Sequence, residues 1–138
     1  MNLVKNKLQF LLLVIALCCQ HCTYRNVEDI HPNNVCTQTL PDTVSFSRDI
    51  QPILTNNCSL SGCHSGNNPE GNFNLEAGKS YAELMQHGSG YVDTINPRYS
   101  VVYSELVSQS NPMPPMGRLD QCSIDLIEKW MKQKAKNN

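Results

Sequence analysis

The chain has 138 residues and a formal net charge of -1, from 11 Lys and Arg residues against 12 Asp and Glu residues. This length provides a single domain, with or without an appendage. The near-neutral charge argues against a basic nucleic-acid-binding protein. Seven cysteines are many for so short a chain. They indicate an exported protein with disulfides or a cofactor held by cysteines, and their odd number means that simple pairing cannot use them all.

Residues 1–22 have the pattern of a signal peptide. Two lysines precede an apolar run from Leu8 to Leu17, whose about ten residues are too few to span a membrane as a helix. The cysteine pair that follows resembles a bacterial lipoprotein signal, in which cleavage exposes a cysteine for acylation. Cys19 fits this pattern best, and Cys18 is the alternative, although it would place Leu17 at the cleavage position. Lipidation or ordinary secretion would both export the protein.

Residues 23–43 are polar and lack apolar periodicity, so they are predicted to form a tether. The folded domain is expected to span residues 44–138. Its apolar residues recur at helical spacing, and no alternating pattern indicates a strand, which predicts an all-α fold with about four short helices. The predicted helices run from Asp49 to Asn57, from Ser80 to Gly88, from Asn96-Pro97 or Ser100 through Val107, and from Gln121 to Lys134.

The predicted helix ends rest on known capping residues. Asp49 is expected to cap the first helix, which puts Pro52 in the first turn, where a missing N–H costs little. Ser80 and Glu83 have the spacing of a capping box, and Gly88 is a typical helix stop. Long loops rich in Gly, Pro, Asn and Ser join the helices, and such loops are usually functional or wrapped around something.

The segment Cys58-Ser59-Leu60-Ser61-Gly62-Cys63-His64 has the form C-x4-C-H. The common haem-attachment motif is C-x-x-C-H, in which two thiols form thioethers and the histidine binds the iron. Two other interpretations of this segment remain open at this point. Cys58 and Cys63 could form a local disulfide, or they could hold zinc together with His64 and a fourth ligand such as His87.

A proline-rich loop downstream contains Met113 and Met116, in the sequence Asn-Pro-Met-Pro-Pro-Met-Gly. Prolines stiffen a loop, and a stiff loop can hold a thioether sulfur at one position. Methionine is a soft axial ligand for haem iron that raises its potential. In such a loop Met113, or alternatively Met116, could act as a distal ligand, and His87 would give bis-histidine ligation.

Together these segments resemble a small monohaem c-type cytochrome domain of exported bacterial lipoproteins. The resemblance covers about residues 44–135 and is carried by the Val44–Leu54 segment, Gly62-Cys63-His64, Met113-Pro114-Pro115 and the capped last helix. It departs from the commonest pattern in the longer spacing between the cysteines. The resemblance implies short helices wrapped around one covalent haem, with thioethers at Cys58 and Cys63, His64 as the proximal ligand and Met113 as the distal ligand.

Cys36 and Cys122 are the remaining pair within or beside the domain. In proteins of this family the first and last helices usually pack together, so the resemblance implies that Cys36 could lie near Cys122 and form a disulfide after export. Closing a loop of that length stabilises the fold by about 4 kcal/mol in the chain-entropy model. Cys22 has no assigned role.

The function expected from the resemblance is electron transfer. One haem c would cycle between Fe(III) and Fe(II) with His/Met ligation, so the protein would be a carrier and not an enzyme. Its partners would be redox proteins in transient contact, with a lipid anchor on a membrane of the periplasm or cell envelope, and no nucleic acid or small-molecule substrate. The alternatives are a haem peroxidase or sensor with an open distal site, and a haem-free exported binding module held by disulfides or zinc.

Overall fold

The computed structural model describes residues 35–138. The predicted signal peptide, the lipidation site at Cys19 or Cys18, and Cys22 lie outside the described residues. The same is true of the predicted tether up to residue 34.

Four α-helices form the described part of the chain. They are α1 (Gln51–Asn57), α2 (Ser80–Leu84), α3 (Val101–Val107) and α4 (Gln121–Lys132). A π-helical turn, Phe46–Ile50, leads directly into α1, and 3-10 turns occupy Glu70–Asn72 and Pro97–Tyr99. Residues 35–138 contain no strand, which confirms the all-α prediction for this part of the chain. Within the same residues, no helix combines the length and the apolar character needed to cross a membrane.

The start of α1 differs from the prediction. Asp49 is not the helix cap, because the chain already turns helically from Phe46. Ser45 caps this turn instead, with its Oγ accepting a hydrogen bond from the backbone N–H of Arg48. The Asp49 carboxylate reaches back and accepts from the Ser45 N–H at 2.7 Å. Pro52 lies in the first turn of α1, as predicted.

Helix α2 begins at Ser80 as predicted, but it ends at Leu84 rather than at Gly88. Leu84 is buried and the residues from 85 to 88 are exposed, so a longer helix would bury no further apolar surface. The predicted capping box at Ser80 and Glu83 is wrong. The residue that precedes the helix is Lys79, and the fully buried Ser80 hydroxyl donates to the side chain of Gln51.

The core lies where α4 meets the π-helical turn. Asp120 caps α4, accepting from the Ser123 N–H at 3.0 Å. On the buried face of α4, Trp130 packs against Phe46 with ring centroids 5.3 Å apart, and Tyr81 lies edge-on to Phe46 at 5.1 Å. The other buried apolar side chains of α4 are Ile124, Ile127 and Met131.

One charged side chain of α4, Glu128, is nearly buried. Its Oε1 accepts from Arg98 Nε at 3.1 Å and from Lys132 Nζ at 2.8 Å. Burial alone would raise the pKa of Glu128, but the hydrogen bonds and charges of these two bases outweigh burial and hold the pKa below its ordinary value. Glu128 therefore stays ionised and links the Pro97–Tyr99 turn to α4.

The segment before the first helical turn is fastened to α4. The Cys36 and Cys122 sulfur atoms lie 2.04 Å apart, the separation of a disulfide bond. Gln133, just after α4, accepts from the Val44 N–H at 2.9 Å and donates to the Asp42 carbonyl at 2.6 Å. Residues 36–44 thus contact the last helix at several points.

Candidate functional site

The residues Cys58, Cys63 and His64 are brought together at the carboxyl end of α1. The N–H of Cys58 donates to the Leu54 carbonyl at 2.9 Å and so continues the helical pattern by one residue. The chain then turns, and the His64 N–H donates to the Cys58 carbonyl at 3.1 Å. A further turn bond joins the Cys63 N–H to the Leu60 carbonyl at 2.9 Å. Residues 58–64 therefore form a hydrogen-bonded loop that begins at the carboxyl end of α1.

The two thiols of this loop are free and half-buried. The local disulfide that the sequence left open is therefore not formed. Burial, and then the neighbouring Cys63, raise the pKa of Cys58 to about 11. At neutral pH the Cys58 thiol is protonated, which is unlike the thiolate of a redox-active or catalytic cysteine.

The imidazole of His64 is oriented by two backbone carbonyls. Its Nδ1 lies 3.0 Å from the Phe73 oxygen and 3.2 Å from the Glu70 oxygen. A carbonyl oxygen can only accept, so Nδ1 carries the proton and donates it. Both hydrogen bonds of the ring within residues 35–138 involve Nδ1. The lone pair of the neutral ring is consequently on Nε2, which is the arrangement that a metal-binding histidine needs.

A tight left-handed turn brings the two carbonyls to the same nitrogen. Gly71 has φ 65° and Asn72 has φ 54°, inside the turn Glu70–Asn72. The Phe73 N–H then donates back to the Glu70 carbonyl at 3.2 Å. Side chains disfavour this backbone conformation, and glycine adopts it without steric cost. Gly71 therefore allows the reversal that places both acceptors beside His64.

Aromatic side chains extend from the histidine. The ring of Phe73 is edge-on to that of His64, with centroids 5.5 Å apart and an interplanar angle of 80°. Tyr91 lies against Phe73 at 4.3 Å. All three rings are half-buried, so this row borders the site with apolar surface.

The two candidate distal ligands, Met113 and Met116, have different surroundings in the proline-rich loop. Met113 is half-buried, and its backbone N–H donates to the Glu105 carbonyl of α3 at 2.9 Å. Met116 is 93% exposed. A ligand must be held in place, so these surroundings favour Met113. His87 is exposed, at the end of the segment that follows α2.

Metal sites made of at least three His, Cys, Asp or Glu side chains are not present among residues 35–138. The zinc interpretation needs Cys58, Cys63, His64 and a fourth ligand such as His87 to converge on one ion, and no such group is found among these residues. The finding does not bear on a thioether-bound haem, whose protein ligands would be one histidine and one methionine.

Comparison with models of protein families gives no match, and neither does comparison with curated proteins or with solved structures. The resemblance to c-type cytochromes thus rests on the sequence motifs alone.

Two contributors to the site, Glu70 and Phe73, did not stand out in the sequence. Glu70 and Phe73 act on His64 through backbone oxygens, which every residue type carries. The only sequence signal was the Gly71-Asn72 pair, since these two residue types tolerate left-handed backbone.

Proposed function

We propose that the chain is an exported electron-transfer protein that carries one covalently attached haem c, and that it is not an enzyme. The observation that carries this proposal is the orientation of His64. Its Nδ1 is fixed on the carbonyls of Phe73 and Glu70, so Nε2 presents a lone pair, and the two thiols of the same loop are not bonded to each other.

The donor set fits haem c. Cys58 and Cys63 would hold the porphyrin by thioether bonds, and His64 Nε2 would be the proximal iron ligand. The haem would supply one-electron chemistry between Fe(III) and Fe(II).

Met113 is proposed as the distal ligand. Its link to α3 through the Glu105 carbonyl restricts where the thioether can lie, and a thioether stabilises ferrous iron. A protein with both axial positions filled exchanges electrons with other proteins and offers no open position to a small substrate. The partners proposed here are therefore redox proteins in transient contact.

The site of action is proposed to be the cell envelope. A lipid on Cys19, followed by a polar tether, would keep the domain at a membrane of the periplasm or cell envelope. In an oxidising compartment of this kind, the Cys36–Cys122 disulfide would form and persist.

Covalent haem is the first quantity to measure. The full chain would be produced in cells with a haem-maturation system, and its pyridine haemochrome spectrum and denatured mass recorded. The expected result is one haem per chain that resists acid–acetone extraction. Cys58→Ala/Cys63→Ala should remove it, and Cys36→Ser/Cys122→Ser is the matched control that should retain it. A wild-type protein without covalent haem would favour the haem-free binding module.

The distal ligand is tested by a second pair of variants. Ferric haem with methionine sulfur as a ligand shows a weak charge-transfer band in the far red. Met113→Ala should abolish this band, whereas Met116→Ala should leave it unchanged because Met116 is 93% exposed. The opposite result would reassign the ligand. Absence of the band from the wild-type protein would favour bis-histidine ligation by His87 or an open distal site, as in a peroxidase or sensor.

A further inference from the structure

Gln51, the first residue of α1, connects three parts of the site with one side chain. Its Nε2 donates to the Leu75 carbonyl at 3.3 Å and to Thr55 Oγ1 at 3.2 Å. Its Oε1 accepts from the Ser80 hydroxyl in a short hydrogen bond. Ser80 is fully buried and Leu75 is 5% exposed, so the bonds to these two residues are partly shielded from water, whereas the bond to Thr55 is exposed. Buried polar groups of this kind are costly to leave without partners.

Gln51 is hydrogen-bonded to residues 73–75, and the same residues are hydrogen-bonded to His64. The Leu75 N–H donates to the His64 carbonyl at 2.8 Å, while the Phe73 carbonyl accepts from Nδ1 at 3.0 Å. Residues 73–75 therefore contact the backbone and the ring of His64 at the same time. Gln51 binds the opposite side of this segment, at the Leu75 carbonyl.

Asn74, between the two contacts, stiffens the segment further. It is 6% exposed, donates to the Gly66 carbonyl at 2.9 Å and accepts from the Glu76 N–H at 2.9 Å. Asn74 thus ties residues 73–75 to Gly66 and to Glu76, and the Gln51 bond to the Leu75 carbonyl ties the same residues to α1.

We propose that Gln51 is a positioning residue that fixes the orientation of the His64 imidazole through residues 73–75. The role of His64 as an iron ligand rests on the proposed function, whereas the positioning itself does not. Helix α1 begins at Gln51 and ends at Asn57, immediately before Cys58, so one rigid element sets both the thiol and the imidazole. The amide is suited to this task because it donates to Leu75 and accepts from Ser80 at once.

The test measures how fast the His64 Nδ1–H exchanges with solvent deuterium, by 1H–15N NMR on the full purified chain. Gln51→Glu keeps an acceptor for Ser80 and removes the donor to Leu75. Its expected effect is an exchange of the Nδ1–H faster by about tenfold, the factor that corresponds to one lost hydrogen bond. The indole N–H of Trp130, which donates to the Lys136 carbonyl at 2.9 Å, is the internal reference and should exchange as in the wild type.

The reference separates positioning from general destabilisation. Loss of overall stability would accelerate both protons, whereas a positioning role accelerates that of His64 alone. Thr55→Val is one control, because it removes only the exposed hydrogen bond between Gln51 and Thr55. Gln86→Glu is a second control, because it adds the same negative charge at an exposed position. Neither variant should change the exchange of the His64 proton. Should Gln51→Glu fail to fold, Ser80→Ala replaces it, since it frees the amide of Gln51 and should also accelerate the His64 proton selectively.

Equal exchange in Gln51→Glu and the wild type, or equal acceleration of the Trp130 proton, would overturn the proposal. The measurement is made on ferrous, diamagnetic protein if haem is attached and on the chain as purified if it is not. Selective acceleration without haem would therefore retain the positioning role while the proposed electron-transfer function fails. Unchanged exchange of the His64 proton in haem-loaded Gln51→Glu protein would refute the positioning role of Gln51 and leave the proposed electron-transfer function standing.

Discussion

The bond between Cys36 and Cys122 gives the prediction with the largest expected effect on stability. The perturbation is Cys36→Ser/Cys122→Ser, which removes both thiols and leaves neither cysteine free to pair wrongly. The two positions are 86 residues apart in sequence, and the bond joins the segment before the domain to the first turn of α4.

The expected loss is between about 4 and 5 kcal/mol, from the chain-entropy dependence on loop length. Little of it should come from native contacts. Val44 and Phe46 remain buried, and Gln133 still holds the Asp42 carbonyl and the Val44 N–H. The effect should therefore arise in the unfolded chain, which gains freedom when the loop opens. Small domains are stable by about 5–15 kcal/mol, so the variant should fold but be marginal.

The assay is equilibrium unfolding in urea at neutral pH, with wild type and variant matched in haem content. The variant should show a lower midpoint and a steeper dependence on urea, since an unlinked unfolded chain exposes more surface. A difference below about 1 kcal/mol would contradict the chain-entropy reasoning. Non-reducing peptide mapping that recovers Cys36 and Cys122 as free thiols would show that the bond does not form in the protein.

Five further substitutions, at four positions, test local features of the fold by the same urea assay. Asp120→Ala removes the cap of α4 and should cost about 1 kcal/mol, whereas Asp120→Asn retains an acceptor and should cost little; equal losses would refute the capping role. Gly71→Ala should cost about 1 kcal/mol through backbone strain alone, because no atom lies within 4 Å of the added methyl, and Asn72→Gly should cost nothing. The lowered pKa of Glu128 stabilises the fold fully above its ordinary value of 4.5, and this contribution should be lost as pH falls through the lowered pKa. Glu128→Gln should flatten that part of the pH profile, and an unchanged profile would contradict it.

The helices could be predicted because their apolar residues recur at the helical period. The buried face of α4, with Ile124, Ile127 and Trp130, followed directly from that spacing. The ends were harder to predict because side chains that could cap a helix had better partners in the folded protein. Ser80 is directed to Gln51, and Asp49 bonds back to the Ser45 N–H. The hydrogen-bond partner of Ser80 is distant in sequence, and that of Asp49 depends on the additional π-helical turn before α1.

Some features of the candidate site could likewise be predicted from the sequence, and others could not. The spacing of Cys58, Cys63 and His64 was enough to predict that they lie close together, because the chain between them is short. The two carbonyl partners of His64 Nδ1 could not be predicted. Backbone carbonyls determine it, and their direction depends on the left-handed turn at Gly71 rather than on the residue types that carry them.

Helix α1 connects the stable part of the domain to the candidate site. At its start, Ile50 and Leu54 are buried in the core, and Gln51 is bonded to the segment that holds His64. At its end, Cys58 continues the helical hydrogen bonding and is half-buried. A shift of α1 would therefore move the thiol and the imidazole together and preserve their relation to each other. An electron carrier benefits from this arrangement, because a ligand set that changes little between oxidation states needs little reorganisation when the electron moves.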